Sequence, residues 1–364
     1  MKILIRNKII LFIITVTVTF ISSCGNSPDI PDRTFTLIIL PDTQIYSQGY
    51  PEIFTAQTEW IVDNKEELNI AFVLHVGDVV DDSTDPTQWE NADKSMSVLD
   101  DRVPYSIAIG NHDQIWPDTT AFNSVFNISR YEDLPSFGGT FEPDKMENCY
   151  HFFTAGGINW LIVVLEYATR DAVLEWANEI VSTYNNRQVI ILTHAYMYYD
   201  DTRQGPGDRW NPVETIGSGP VEHVNDGEGV WNKLVKRHSN ISFVFSGHVL
   251  GDGVGTLISV GDNGNKVYQM LSNYQEVNGH GNGFLRIVAL DPSRERVSVE
   301  TFSPYKFNNI DIPPYNEAII EPYQITDEES PYMTDDEITD EESPYMTDDE
   351  NEFEFVDVEF MIAE

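Results

Sequence analysis

Residues Ile70 to Asp82 read IAFVLHVGDVVDD. An apolar run of strand length stops at a glycine and turns acidic. Near-continuous hydrophobicity suits a strand covered on both faces, as parallel strands between two layers are. The same text recurs four times. TFTLIIL (34–40) runs into PDTQ (41–44), VPYSIAI (103–109) into GNHD (110–113), QVIILT (188–193) into HAY (194–196), and ISFVFS (241–246) into GHVL (247–250). INWLIVVL (158–165) is a further apolar run. Helical spacing of apolar residues lies between these runs, at 51–67, 86–100, 169–184 and 224–238. Alternating strand and helix argues for an α/β layered fold. After Gly247 only strand-like runs follow, at 254–260, 266–271, 283–290 and 296–302. That order predicts a parallel-rich sheet followed by an antiparallel one, packed as a sandwich with flanking helices.

The ends are different material. Lys2, Arg6 and Lys8 precede an apolar segment, Ile9 to Ile21, too short to span a bilayer comfortably. It closes on ISSC (21–24), which resembles the lipobox of bacterial lipoproteins, where cleavage precedes a lipidated cysteine. The expectation is a signal peptide over 1–23, lipid on Cys24, a linker over 24–33, and an exported protein anchored to a bacterial membrane. Cys149 is then the sole cysteine besides Cys24, so no intrachain disulfide supports the fold. At the other end, ITDEESPYMTDDE (325–337) recurs unchanged at 338–350. The repeat has no apolar face to stack, which excludes a solenoid. From Ile325 to Glu364 there are 17 acids and no Lys or Arg, the signature of a disordered acidic tail. Weak calcium binding is its functional alternative, and the closing FEFVDVEFMI alternates like a strand able to dock on a sheet edge. Residues 303–324 read as a linker or strap, leaving 34–302 for the domain. A formal net charge of −39 from 21 basic and 60 acidic residues excludes nucleic acid as a partner and attracts divalent cations.

Every polar cluster named above stands where a strand ends, and ligands of open α/β sheets sit beyond those ends. Asp, Asn, His and Gln together suit hard or borderline divalent metals. The ordered series D-x-Q (42–44), GD-x-x-D (77–81), GNHD (110–113), His194 and GH (247–248) resembles the calcineurin-like metallophosphoesterase superfamily. Its motifs are usually D-x-H, GD, GNH, H and GHxH, and the resemblance covers about residues 34 to 302. It implies a four-layer α/β/β/α sandwich of two mixed sheets flanked by helices, holding two metals. It further implies that Asp78 bridges the metals, that Asn111, His194 and His248 complete the second site, and that Asp42 binds the first. His112 would be the general acid, its charge and orientation helped by Asp81. The implied activity is hydrolysis of a small phosphomonoester or phosphodiester.

Two positions depart from that pattern. Gln44 stands for the His of D-x-H and Leu250 for the second His of GHxH, and both fall on the first metal. An all-oxygen set of Asp42, Asp78 and the Gln44 carbonyl favours Mn, Mg or Ca over Fe or Zn. Three readings stay open: a dinuclear site with a labile first metal, a mononuclear enzyme, and a surface lipoprotein that binds phosphate or metal without turnover. Asp252 or His280 could replace a lost ligand. His75, inside an apolar run, reads as a hydrogen-bonded core residue, and His151, His223 and His238 as surface or structural ones. Asp82 and Asp113 read as hydrogen-bond partners of the ligands. The loop 196–212 is rich in aromatics, with Arg203 and Arg209 as candidates to hold phosphate in a fork, or else to pair with nearby Asp.

Overall fold

The computed structural model describes residues 33–216, 223–277, 281–308, 345–346 and 350–362. The expected signal peptide, Cys24, His280 and the first copy of the acidic repeat lie outside these residues. Among the described residues, no helix is long and apolar enough to cross a membrane.

The first half of the chain lays down β1 (Phe35–Leu40), α1 (Gln44–Gly49), α2 (Pro51–Asn64), β2 (Ile70–His75), α3 (Pro86–Met96) and β3 (Tyr105–Ile107). After α4 (Thr120–Val125) come β4 (Phe137–Thr140), β5 (Cys149–Ala155), β6 (Ile158–Val164), α5 (Asp171–Thr183) and β7 (Gln188–Leu192). Then follow α6 (Pro212–Ile216), α7 (Gly227–Lys233) and β8 (Ile241–Ser246). The chain closes with β9 (Val254–Val260), β10 (Lys266–Ser272), β11 (Leu285–Asp291), β12 (Arg296–Phe302), α8 (Pro304–Asn308), β13 (Tyr345–Met346) and β14 (Phe353–Val356).

Two mixed sheets result, one ordered β13-β12-β11-β1-β2-β3 with β14 also on β12, the other β4-β5-β6-β7-β8-β10-β9. Strands β1, β2 and β3 are parallel, as are β6, β7, β8 and β10. The late strands do not form an antiparallel sheet of their own, as their order suggested. They are divided: β11 pairs antiparallel with β1, and β9 with β10 on the far edge of the second sheet. The second sheet is therefore a parallel centre with antiparallel flanks, while in the first the parallel strands run to the β3 edge and antiparallel strands lie only beyond β1. Strands β4 and β5 were not anticipated, because GG in FGGT (137–140) and the polar residues of CYHFFTA (149–155) break the apolar pattern.

The unbroken hydrophobicity of the central strands follows from period-two alternation between two cores. Trp160, Ile162 and Val164 of β6, Ile190 and Leu192 of β7, and Phe243 and Phe245 of β8 face the first sheet. Their neighbours Leu161, Val163, Val189, Ile191 and Val244 pack under α5 and α7 through Val173, Leu174, Val181 and Val230. On the outer face of the first sheet, Phe54 and Ile61 of α2 and Trp89, Ala92 and Met96 of α3 complete the fourth layer. Each such buried side chain contributes roughly 1.5–3 kcal/mol over its exposed state.

Disorder from Ile325 onward does not hold for the closing stretch. β14 pairs with Arg296 to Val299, and Phe355 and Val358 enter the core between the sheets. The Gln188 amide donates to Glu359 O at 2.9 Å and accepts from Met361 N at 3.0 Å, so the segment reaches from one sheet to the other.

Candidate metal centre

Because β1, β2, β3, β7 and β8 run the same way within their sheets, their carboxyl ends deliver Asp42, Asp78, Asn111, His194 and His248. Asp42 and Asp78 are 2% exposed, His194 is inaccessible and His248 is 8% exposed. Ligand atoms of Asp78, His194 and His248 lie within 4.8 Å of one another. His194 Nε2 is 3.1 Å from Asp78 Oδ2 and 3.2 Å from Asn111 Oδ1, while Nδ1 donates to the Val76 carbonyl at 2.8 Å. His248 Nε2 donates to the Trp210 carbonyl at 2.8 Å, which leaves Nδ1 as its free lone pair. Asp42 accepts from the His248 main-chain N–H at 3.1 Å, and His112 N–H donates to Asp78 Oδ1 at 2.9 Å.

The glycines of the motifs are steric necessities. A Cβ on Gly110 would collide with Asp78 Oδ1, one on Gly247 with Asp42 Oδ1, and one on Gly77 with the His194 ring. Asp78 (φ 49°) and His248 (φ 73°) sit in left-handed backbone, conformations that cost of order 1–3 kcal/mol and gather at functional sites.

The charges conflict without a cation. Burial raises the Asp42 carboxyl well above its ordinary value; His194 opposes this and Asp78 adds to it. Burial acts in the same direction on Asp78, but His194 and His112 hold it well below the ordinary range. Burial lowers His248 to about 4, helped by His194, so it is a neutral ligand. For His194 burial is outweighed by Asp78 and Asp42, which raise it to about 9. A divalent ion fits this set: three oxygens, two fixed imidazole lone pairs and little solvent. Gln44 adds to the fit, being 5% exposed with an Oε1 that has no hydrogen-bond partner. Leu250 is half-buried and offers no donor. Asp252 is exposed and accepts from Val254 N, apart from the cluster of Asp78, His194 and His248.

His112 is more exposed, with 37% of its side chain accessible. Its Nδ1 donates to the Asp81 main-chain carbonyl at 2.8 Å, whereas the Asp81 carboxylate is 3.6 Å away. The carbonyl therefore orients the ring, and the carboxylate acts by charge. Burial lowers the imidazole's pKa, but Asp78, the Asp81 carbonyl and the Asp81 carboxylate outweigh it, and the net shift is upward. Asp113 ties the loops together, accepting from Val79 N, Val80 N and Gly110 N. Burial and Asp78 push its carboxyl to about 7. Asp82 does not join them; it accepts from Thr84 N and Oγ1 at the surface.

Among the remaining histidines, His75 is wholly buried between Thr43 Oγ1 and Gly77 N. His151 is buried beside Ser106 and Cys149, His238 contacts Asn178, and His223 is exposed. Arg203 is not available to phosphate. Its Nε donates to Glu228 and its Nη1 to Ser259 and Gln269, and the guanidinium lies over Trp231. Arg209 is exposed, over the ring of Trp210, whose carbonyl holds His248. Sequence reasoning missed Tyr167, whose ring lies 5.3 Å from His248 and 5.9 Å from His194. It follows β6 as the motif residues follow their strands, but its aromatic ring hid it among apolar neighbours.

A family model described as calcineurin-like phosphoesterase matches residues 35–252. An uncharacterized protein of Bacillus subtilis (strain 168), YvnB, is 33% identical over 279 residues, covering 74% of this chain and 20% of that protein. A probable inactive purple acid phosphatase of Arabidopsis thaliana, number 24, is 32% identical over 65 residues, 18% of this chain and 10% of its own. The chain thus spans a fifth or less of these two curated relatives. Among solved structures, a purple acid phosphatase isolated from yellow lupin (Lupinus luteus) seeds aligns with a TM-score of 0.46 at 13% identity, over 76% of this chain and 52% of that one.

Proposed function

The chain belongs to the calcineurin-like phosphoesterase family, and from that premise we propose that it hydrolyses small phosphomonoesters or phosphodiesters, exported and held on a bacterial membrane by lipid on Cys24. The observation that carries this reading is the convergence of Asp78, His194 and His248, with the main-chain N–H of His112 donating to the same aspartate and so placing this residue beside the cluster.

Asp78, Asn111, His194 and His248 would hold one divalent ion, and Asp42, Asp78 and the Gln44 carbonyl a second, more weakly held one. Bound there, such ions supply charge neutralisation to a phosphoryl group and acidity to water. The chain's own residues do the rest. Val76 and Trp210 carbonyls fix the two imidazoles so that single nitrogens face the centre. His112 keeps its Nδ1 proton on Asp81 O, which leaves Nε2 to carry the proton given to the departing oxygen. Positioned proton donation of this kind contributes roughly 10²–10⁴ in rate. Arg209, beside Trp210, would meet the phosphate or its organic substituent. The strongly acidic surface, net −39, disfavours polyanionic substrates and leaves small esters. The acidic repeat would bind calcium weakly.

Binding without turnover is the second reading, favoured by Leu250, which gives the first metal position no nitrogen. One experiment separates the two. The chain from Cys24 to Glu364 is assayed on mono- and diesters with Mn, Mg, Ca and Zn, beside His112→Ala. Metal-dependent turnover that His112→Ala lowers by about 10²–10⁴ supports hydrolysis. Bound metal with no turnover that depends on His112 leaves the binding reading.

A further inference from the structure

The residue that departs from the family pattern at 44 is tied to the acid side of the site. Gln44 and Gln48 lie four apart on α1, on one helix face. Gln44 Nε2 donates to Asp81 Oδ1 at 3.1 Å and Gln48 Nε2 to Asp81 Oδ2 at 2.7 Å. Both carboxylate oxygens are thus taken by amide donors. The orientation of the Gln44 amide is forced, because its oxygen turned toward Asp81 would face another acceptor.

The rest of α1 is fastened to the same loop. Thr43 N donates to Asp78 O at 3.1 Å and Ser47 Oγ to Val79 O at 2.6 Å. From the other side, Gln88 Oε1 accepts from Asp81 N and Asp82 N at 2.8 and 3.0 Å. The main chain of Asp81 is therefore fixed by Gln88, and its carboxylate by Gln44 and Gln48. His112 touches both parts: Nδ1 donates to the Asp81 carbonyl, with the carboxylate 3.6 Å away.

We propose that Gln44 and Gln48 form a clamp on the Asp81 carboxylate that holds its charge in place beside His112, so that Gln44 is a positioning residue for proton donation as well as a candidate metal ligand. The inference rests on the reading of His112 given above. A free carboxylate at this distance could rotate to take the Nδ1 proton or turn toward the metal centre. Two amide donors remove both options, and it remains a fixed negative charge beside the imidazole. The Gln44 amide serves this purpose through Nε2 and keeps Oε1 unengaged, and in this way it couples α1 to the acid.

Gln44→Leu, Gln48→Leu, Asp81→Asn and the double variant Asp81→Asn/Gln44→Leu test this in the full chain, with His112→Ala alongside. Gln48 is exposed, so Gln48→Leu tests the clamp even where Gln44→Leu fails to fold. The expectation, at saturating manganese, is that each single variant lowers kcat about tenfold with KM unchanged, that bound manganese is unchanged in Gln48→Leu and Asp81→Asn while Gln44→Leu holds the weaker ion less tightly, and that the double variant is no slower than Asp81→Asn alone. In the metal-free protein, the His112 Nδ1 proton resonance should shift or broaden in Gln44→Leu and Gln48→Leu. Multiplicative losses, or a Gln44→Leu defect that excess manganese repairs, would overturn the clamp. An unmoved Nδ1 resonance in both variants would do the same. If His112→Ala retains full turnover, it is the reading of His112 that fails, and the resonance still reports on the clamp by itself.

Discussion

His194 Nε2 lies 3.1 Å from Asp78 Oδ2, and its other nitrogen is committed to the Val76 carbonyl. With no metal bound, only a proton on Nε2 can reconcile that distance with the charge of Asp78, which is why the imidazole is raised to about 9. An unfolded histidine titrates near 6.5. This group therefore adds stability that is fully present below pH 6.5 and lost as pH rises through about 9, worth about 3 kcal/mol. Thermal melts of chelator-treated protein should fall between pH 7 and 9.5, and more steeply than those of His194→Gln. Manganese affinity should rise over the same interval, because the ion replaces that proton. A flat melting profile would discount the pair.

Gly110 and Gly247 leave no room for a methyl group against Asp78 and Asp42. Gly110→Ala should displace Asp78 and abolish metal binding, and Gly247→Ala should weaken chiefly an ion held through Asp42. Metal stoichiometry by elemental analysis checks both. Retention of full metal content in Gly110→Ala would show that the loop can yield.

Leu250 is the position where the family supplies an imidazole. Leu250→His should tighten the weaker of two manganese or zinc sites at least about tenfold, since it adds a nitrogen to an oxygen-only set. Calorimetric titration gives the answer; an unchanged second affinity places the residue away from the ion.

Arg203 and Arg209 should separate cleanly. Arg203 braces α7 against β9 and β10 with 13% of its side chain exposed, so Arg203→Ala should lower the melting temperature and leave KM alone. Arg209→Ala should raise KM for a phosphoester several-fold without a stability change. The reverse outcome would reassign the two.

The closing segment should be part of the folding unit. Phe355 is 7% exposed and its ring lies tilted against that of Tyr268, with centroids 4.6 Å apart, so Phe355→Ala should cost about 3–5 kcal/mol. Arg286 is fully buried and donates to Glu350 O, so truncation after residue 324 should expose it and destabilise the domain further. Equal denaturation midpoints for the full and truncated chains would return the segment to the status of a free tail.

Much of this was legible in the sequence because its determinants are local. An apolar run ending in glycine and a polar residue specifies both a buried strand and what stands at its end, and parallel strands necessarily present those ends together. Hence Asp42, Asp78, Asn111, His112, His194 and His248 could be listed before any coordinates. The central strands and the main helices were equally plain. Other features depend on where distant segments meet. Nothing local says that β11 and β12 join β1 while β9 and β10 join β8, because antiparallel strands fit any open edge. Arg203 and Arg209 look alike in sequence; only packing against Trp231, Glu228 and Gln269 withdraws one from the site. The alternation of FEFVDVEFMI marks a strand able to dock on a sheet edge, but nothing local says that the edge is β12. Gln44 reads only as an oxygen ligand in place of an imidazole until Asp81 is seen against its amide nitrogen. Local patterning is enough for the layered α/β class and for the set of donors at the strand ends. Which donors converge, what orients each one, and how the C-terminal segment closes the sandwich follow only from the folded chain, because they depend on contacts between residues far apart in sequence.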